Sequence, residues 1–211
     1  MMWNNMTSSV NPQSNIGLSI QLLCAGLEGV NEIGVINWND IERLNDHVKK
    51  GVYIITLDNP LENPPFLIEE DADWLPDAKF DNMALTLDEM MTRLRRFWNS
   101  DEIILYIGQT DREINERLKE FKKQKIGKNV TKKHAGGIWI KLLDPDKLRV
   151  YRIENNDPPE LEMILLNRFI KYAISKSDDG KKPILPFANL EYKKIHGISL
   201  PFKHKKKSVK K

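Results

Sequence analysis

Residues 102–121 read Glu-Ile-Ile-Leu-Tyr-Ile-Gly-Gln-Thr-Asp-Arg-Glu-Ile-Asn-Glu-Arg-Leu-Lys-Glu-Phe, and the rhythm of their apolar side chains changes half-way along. Glu102 to Gly108 is rich in β-branched and aromatic residues, which predicts a strand. From Ile114 onward the apolar residues recur as Ile114, Leu118 and Phe121, the spacing of one helical face. Thr110-Asp111-Arg112-Glu113 has the pattern of a capping box and would open that helix. A strand therefore runs directly into a helix.

The flanking sequence extends this into an α+β layout. Gly51-Val52-Tyr53-Ile54-Ile55-Thr56-Leu57 predicts an earlier strand, stopped by Asp58-Asn59-Pro60. Residues 58–85 read as a long acidic loop containing Pro60, Pro64, Pro65 and Pro76. Thr86-Leu87-Asp88-Glu89 forms a second capping box, followed by Met90, Leu94 and Phe97 at helical spacing. Nearer the N-terminus, residues 16–29 form an apolar stretch with helical character that ends near Gly29. A short helix is expected over 39–49, capped by Asn39, with Ile41, Leu44 and Val48 on one face. Downstream, Ile138 to Leu143 and Leu148 to Ile153 predict a hairpin across Asp144-Pro145-Asp146. Asp157-Pro158-Pro159-Glu160 then starts a helix with prolines in its first turn and a stripe of Leu161, Leu165, Phe169 and Tyr172. The expected fold is a small, mostly antiparallel sheet flanked by helices. The expected division is a helical extension over 1–49, a main domain over 50–192 with an insertion at 58–99, and a basic tail over 193–211.

Composition narrows the function classes. The chain has 211 residues, 40% hydrophobic and 30% charged, enough to bury a core. No apolar run approaches the ~20 residues of a membrane span. The first residues lack the pattern of a signal peptide, and the single cysteine, Cys24, suits a reducing cytoplasm and a small core role. Net charge is only +3, but it is unevenly spread. Residues 62–81 hold seven acids and one lysine, whereas 117–133 hold eight bases and one acid, and the last ten residues add six lysines. Two basic blocks point to a polyanion, because each phosphate contact releases counterions. Candidate phosphate contacts are Lys122, Lys123, Lys125, Lys128, Lys132, Lys133 and His134. Histidines 47, 134, 196 and 204 show no metal spacing, and no Gly-rich nucleotide loop or nucleophile elbow is present.

What remains is an ordered set: Gly51-Val52-Tyr53 in one strand, Tyr106-Ile107-Gly108 in the next, Arg117 on the following helix, Glu162 on a later helix and Asn189 in Pro186-Phe187-Ala188-Asn189. Together these resemble the GIY-YIG nuclease superfamily over roughly 51–189. The His-Ala-Gly-Gly segment at 134–137 and the Pro-Phe-Ala-Asn ending look like its restriction-enzyme-like branch. The resemblance implies a small antiparallel sheet carrying the site, and phosphodiester hydrolysis with one Mg²⁺ or Mn²⁺. By position, it implies that Tyr53 helps deprotonate the attacking water and that Tyr106 orients the network. Arg117 would contact the scissile phosphate, Glu162 would be the sole protein metal ligand, and Asn189 would support the site by hydrogen bonds. The expected activity is that of a DNA endonuclease, a type II restriction enzyme by branch; the alternative is a non-enzymatic DNA-binding module that keeps the fold. Cutting a palindromic site would call for a homodimer.

The chemistry suits these residue types. Arginine offers a planar charged fork for two phosphate oxygens. Mg²⁺ prefers oxygen ligands and keeps several waters, so one carboxylate and a substrate phosphate can hold it. A tyrosine is a poor base unless nearby positive charge lowers its pKa. Glu162 borders the helix's apolar stripe, and Glu160, in the first turn, is the competing carboxylate. The sequence departs from the family in its long gap between the tyrosine motifs and in Phe121, where a proton-carrying His or Tyr is common. A rival pattern, Pro145-Asp146 with Glu191-Tyr192-Lys193, mimics a different metal nuclease, although Pro145-Asp146 has the composition of a turn. Trp74 and Trp98, if exposed, would favour a protein-interaction role for 58–99; the alternative is that both are core residues.

Overall fold

A computed structural model describes residues 18–28, 30, 33–67, 79–80, 83–84, 86–124, 137–176 and 184–189. Four strands form one antiparallel sheet: β1 (Ile33–Asn37), β2 (Gly51–Leu57), β5 (Ile104–Thr110) and β6 (Leu148–Glu154), in the order β1-β6-β2-β5. A separate small hairpin joins β3 (Lys79–Phe80) to β4 (Met83–Ala84). The helices are α1 (Ile20–Cys24), α2 (Leu87–Arg95), α3 (Ile114–Lys123) and α4 (Pro158–Lys176), with 3-10 helices at Trp38–Arg43, Gly137–Leu142 and Pro145–Lys147. The α+β architecture read from the sequence is the one observed. Among the described residues no helix is long and apolar enough to cross a membrane.

Strand β2 lies centrally and is buried at every position, because helices cover both faces of the sheet. Tyr53, Ile55 and Leu57 point into a core shared with Met90 and Leu94 of α2, Ile114, Leu118 and Phe121 of α3, and Trp38 and Ile41. Val52 and Ile54 point the other way, into a core shared with Leu23 of α1 and with Leu161, Leu165 and Phe169 of α4. The register shifts between Ile55 and Thr56, whose β5 partners are Tyr106 and Ile104. Leu105 is the extra residue of this bulge and joins the Tyr53 core, while Ile104 joins the other. Cys24 is a buried free thiol whose pKa burial pushes up to about 11.

The α2 capping box forms as expected, with Thr86 and Glu89 each accepting the other's backbone N–H. The one expected over 110–113 does not. Thr110 belongs to β5, opposite Gly51, and α3 begins only at Ile114, whose N–H donates instead to the carbonyls of Val48 and Lys49. The helix expected over 39–49 stops at Arg43, because Leu44 turns extended and residues 44–50 wrap the start of α3.

A further expectation is corrected. Residues 138–143 do not form a strand: both edges of β6 are already filled, by β1 on one side and β2 on the other. The run instead coils into a 3-10 helix, burying Trp139 and Ile140, and beyond it Leu143 bridges Phe66 in the proline-rich loop. The place it would have taken beside β6 is held by β1, a strand that lies within the segment read as a helical extension. Of the two tryptophans, Trp98 is a core residue. Its Nε1 donates to the Leu61 carbonyl, and its ring meets Phe187 edge-on at 5.3 Å. Trp74 lies outside the described residues. Asp146, of the rival metal-nuclease pattern, sits in a 3-10 turn and its Oδ1 accepts from Asn39 Nδ2 at 2.6 Å, while Glu191, Tyr192 and Lys193 of that pattern lie outside the described residues.

Candidate functional site

The two tyrosine motifs become neighbours through strand pairing. Tyr53 lies opposite Gly108 and Ile55 opposite Tyr106, so both tyrosines project from the same face of the β2–β5 pair. Their ring centroids are 6.0 Å apart. Both glycines of the motifs answer to close approaches. A Cβ on Gly108 would stand 2.6 Å from Tyr106 Cε1 and 2.9 Å from Tyr53 Cζ, so the space a side chain would need is filled by the two phenols. A Cβ on Gly51 would stand 2.0 Å from the Ile153 carbonyl oxygen of β6.

Arg117 and Glu162 come from helices on opposite faces of the sheet. Helix α3 leaves β5 after three residues, and α4 starts just past the end of β6, which pairs with Gly51. Both side chains thus belong to the first two turns of their helices. The Arg117 guanidinium hydrogen-bonds Tyr53, and Tyr106 donates its hydroxyl to the Tyr53 oxygen. The charge of Glu162 is felt at both phenols. Glu162 is half-buried, whereas Glu160 is exposed and its N–H is taken by Asp157 Oδ1 at 3.2 Å. The Glu162 charge, and not that of Glu160, is among the chief influences on the two tyrosines.

Asn189 closes the outer edge of β5. Its Oδ1 accepts from Ile107 N–H at 2.9 Å and its Nδ2 donates to Ile107 O at 2.8 Å. The side-chain amide thereby imitates a neighbouring strand for the residue between Tyr106 and Gly108. Ala188 continues the edge with an N–H to Leu105 O at 2.8 Å.

The two phenols differ electrostatically. Burial pushes both pKa values up, Tyr106 furthest. Tyr53 receives hydrogen bonds from Arg117 and Tyr106 and feels the Arg117 charge, all of which favour its phenolate. Tyr106 gives its proton to that bond and feels Tyr53 and Glu162, which oppose its ionisation. Tyr53 is therefore the acceptor of the pair and Tyr106 the donor.

Among the described residues, no group of three or more His, Cys, Asp or Glu side chains gathers to hold a metal. A lone half-buried carboxylate fits a hard cation that keeps most of its water and takes further oxygens from a phosphate, and does not fit a closed protein cage. Phe121, one turn beyond Arg117, is buried between Trp38 and Tyr106, with ring centroids at 5.6 and 6.2 Å. Of the lysines proposed for phosphate contact, Lys122 donates to the Asn39 carbonyl at 3.0 Å and Lys123 lies 3.8 Å from Glu42. Lys125, Lys128, Lys132, Lys133 and His134 lie outside the described residues.

Sequence reading misses a polar cluster beside the site, formed by Asp46, Asn115 and Arg152. The available signal is the alternation of β6, where Leu148, Val150 and Arg152 are all buried on the Tyr53 face and one of the three is charged. The chain matches no protein-family model, no curated protein and no solved structure.

Proposed function

We propose that this protein is a metal-assisted phosphodiester hydrolase of GIY-YIG type. Within that class the reading is a DNA endonuclease of restriction-enzyme kind. The observation that carries it is the pairing that sets Tyr53 and Tyr106 on one face with ring centroids 6.0 Å apart, with Arg117 and Glu162 near enough for their charges to act on both phenols. Arg117 holds the non-bridging oxygens of the scissile phosphate, whose negative charge grows toward the transition state. Tyr53 accepts the proton of the attacking water as its phenolate, after giving its own phenolic proton to solvent, and Tyr106 keeps the Tyr53 oxygen oriented by donating to it. Glu162 would hold a divalent cation, which when bound would supply Lewis-acid stabilisation of the leaving oxygen. Asn189 keeps β5, and with it Tyr106, in register. The basic block following Arg117 supplies a path for the DNA backbone.

The test is cleavage of supercoiled plasmid with Mg²⁺ or Mn²⁺ by the wild type, Arg117→Ala and Glu162→Ala. The expected outcome is nicked or linear DNA for the wild type and a loss of at least about 100-fold for each variant. Cutting that survives both substitutions removes the assignment.

A second reading is a DNA-binding module without hydrolytic activity. The burial that raises both phenols, and the apolar Phe121 packed against Tyr106, favour it. It calls for salt-sensitive DNA binding with no strand breaks under either cation.

A further inference from the structure

Arg152 is the antiparallel partner of Tyr53 and stands on the same face of the sheet. It is 8% exposed, and its guanidinium lies across Gly34, where a Cβ would be 3.4 Å from Nη2. Its Nη1 donates to Asp46 Oδ1 at 2.9 Å and to Asn115 Oδ1 at 2.7 Å. Asn115 is 2% exposed and returns a bond from Nδ2 to Asp46 Oδ1 at 2.9 Å. The three side chains thus close a ring joining β6, the loop after the first 3-10 helix and the first turn of α3. Asn115 lies two residues before Arg117 on that turn. The same loop takes the Ile114 N–H through Val48 and Lys49, and its Leu44 carbonyl accepts Lys119 Nζ at 2.6 Å. A buried arginine tied to one exposed carboxylate is expensive to keep for stability alone, since apolar residues of similar volume commonly serve as well. What the ring does supply is a fixed height and rotation for the start of α3, referenced to the strand beside Tyr53.

We infer that Asp46, Asn115 and Arg152 are positioning residues, which set the first turn of α3 so that Arg117 meets Tyr53. This deepens the hydrolase reading, on which its catalytic consequence rests. The contact between Arg117 and Tyr53 is what the ring acts on, and that contact can be followed without turnover. The low-lying Asp46 carboxyl, held down chiefly by the Arg152 hydrogen bond, keeps the ring ionised at neutral pH.

The full chain is labelled with ¹³C in its tyrosine rings, and the Tyr53 Cζ signal is assigned with Tyr53→Phe. Arg117→Ala moves this signal by removing the hydrogen bond. Asn115→Ala moves it in the same direction, and adding Asn115→Ala to Arg117→Ala moves it no further. Asp46→Ala, on the exposed loop, gives a smaller shift of the same sign and keeps the test open should Asn115→Ala fail to fold. A Tyr53 signal unmoved in both folded variants, or effects that add to that of Arg117→Ala, overturns the inference. With plasmid, Asn115→Ala lowers kcat by about 10- to 100-fold and costs nothing further on Arg117→Ala. Coupled Tyr53 signals in a protein that cuts no DNA support the positioning role while refuting the hydrolase reading.

Discussion

Single atoms govern the tightest parts of this site. Gly51 faces the Ile153 carbonyl so closely that any Cβ requires β2 and β6 to separate. Gly51→Ala is therefore expected to cost about 3 kcal/mol, the upper end of overpacking penalties, measured by urea denaturation. Gly108 differs, because its missing side chain leaves room for the phenols themselves. Lys141 offers a readout in pH. Its Nζ donates to the Lys122 and Gln124 carbonyls at the end of α3, and burial lowers its pKa from 10.5 to about 8. Between these values the unfolded chain holds the proton more fully than the folded one, so this group makes stability rise as pH climbs from 8 to 10.5. Below pH 8 the lysine is charged in both states and the burial penalty is complete. Relative to Lys141→Met, wild-type stability should rise across that window in denaturant titrations; a flat difference would sink the assignment.

Elements meet at the edges of the sheet. The outer edge of β5 is closed by the Ile184–Asn189 segment, in which Asn189 pairs with both the N–H and the C=O of Ile107. Asn189→Ala leaves both groups without these partners and should cost about 1–3 kcal/mol in thermal melts. Asn189→Asp is expected to do no better at neutral pH, because a carboxylate accepts the N–H but stands against the carbonyl. The strands and long helices carrying this arrangement are legible in the sequence. β2, β5, β6, α2, α3 and α4 each carry a period that depends only on neighbours along the chain. The failures have a different origin. Ile138 to Leu143 has the composition of a strand, yet the place it would fill is taken by β1. Thr110-Asp111-Arg112-Glu113 has the letters of a capping box, yet its threonine is committed to pairing with Gly51.

On the scale of the whole molecule, the segment before residue 50 is joined to the sheet. Residues 33–43 supply an edge strand and two buried side chains, Trp38 and Ile41, to the core that holds Tyr53. A chain beginning at residue 50 would expose the edge of β6, and would lose Asp46 from the ring at α3. It is expected to lack a cooperative unfolding transition; a sharp transition equal to that of the full chain would refute this role for residues 33–49. The site shows the same split between local and distant information. Motif order alone picks out Tyr53, Tyr106, Arg117, Glu162 and Asn189 as candidates, and the place of Glu162 beside an apolar stripe favours it over Glu160. Asn115 and Arg152 carried no such mark, since each is ordinary in its own helix or strand. Residue order and apolar spacing were enough to write down strands, helices and candidate side chains, because those patterns are local. Which strand lies beside which, why two glycines admit no side chain, and which arginine is buried against Asn115 depend on contacts between segments far apart in the chain. Such contacts exist only once the sheet has chosen its neighbours.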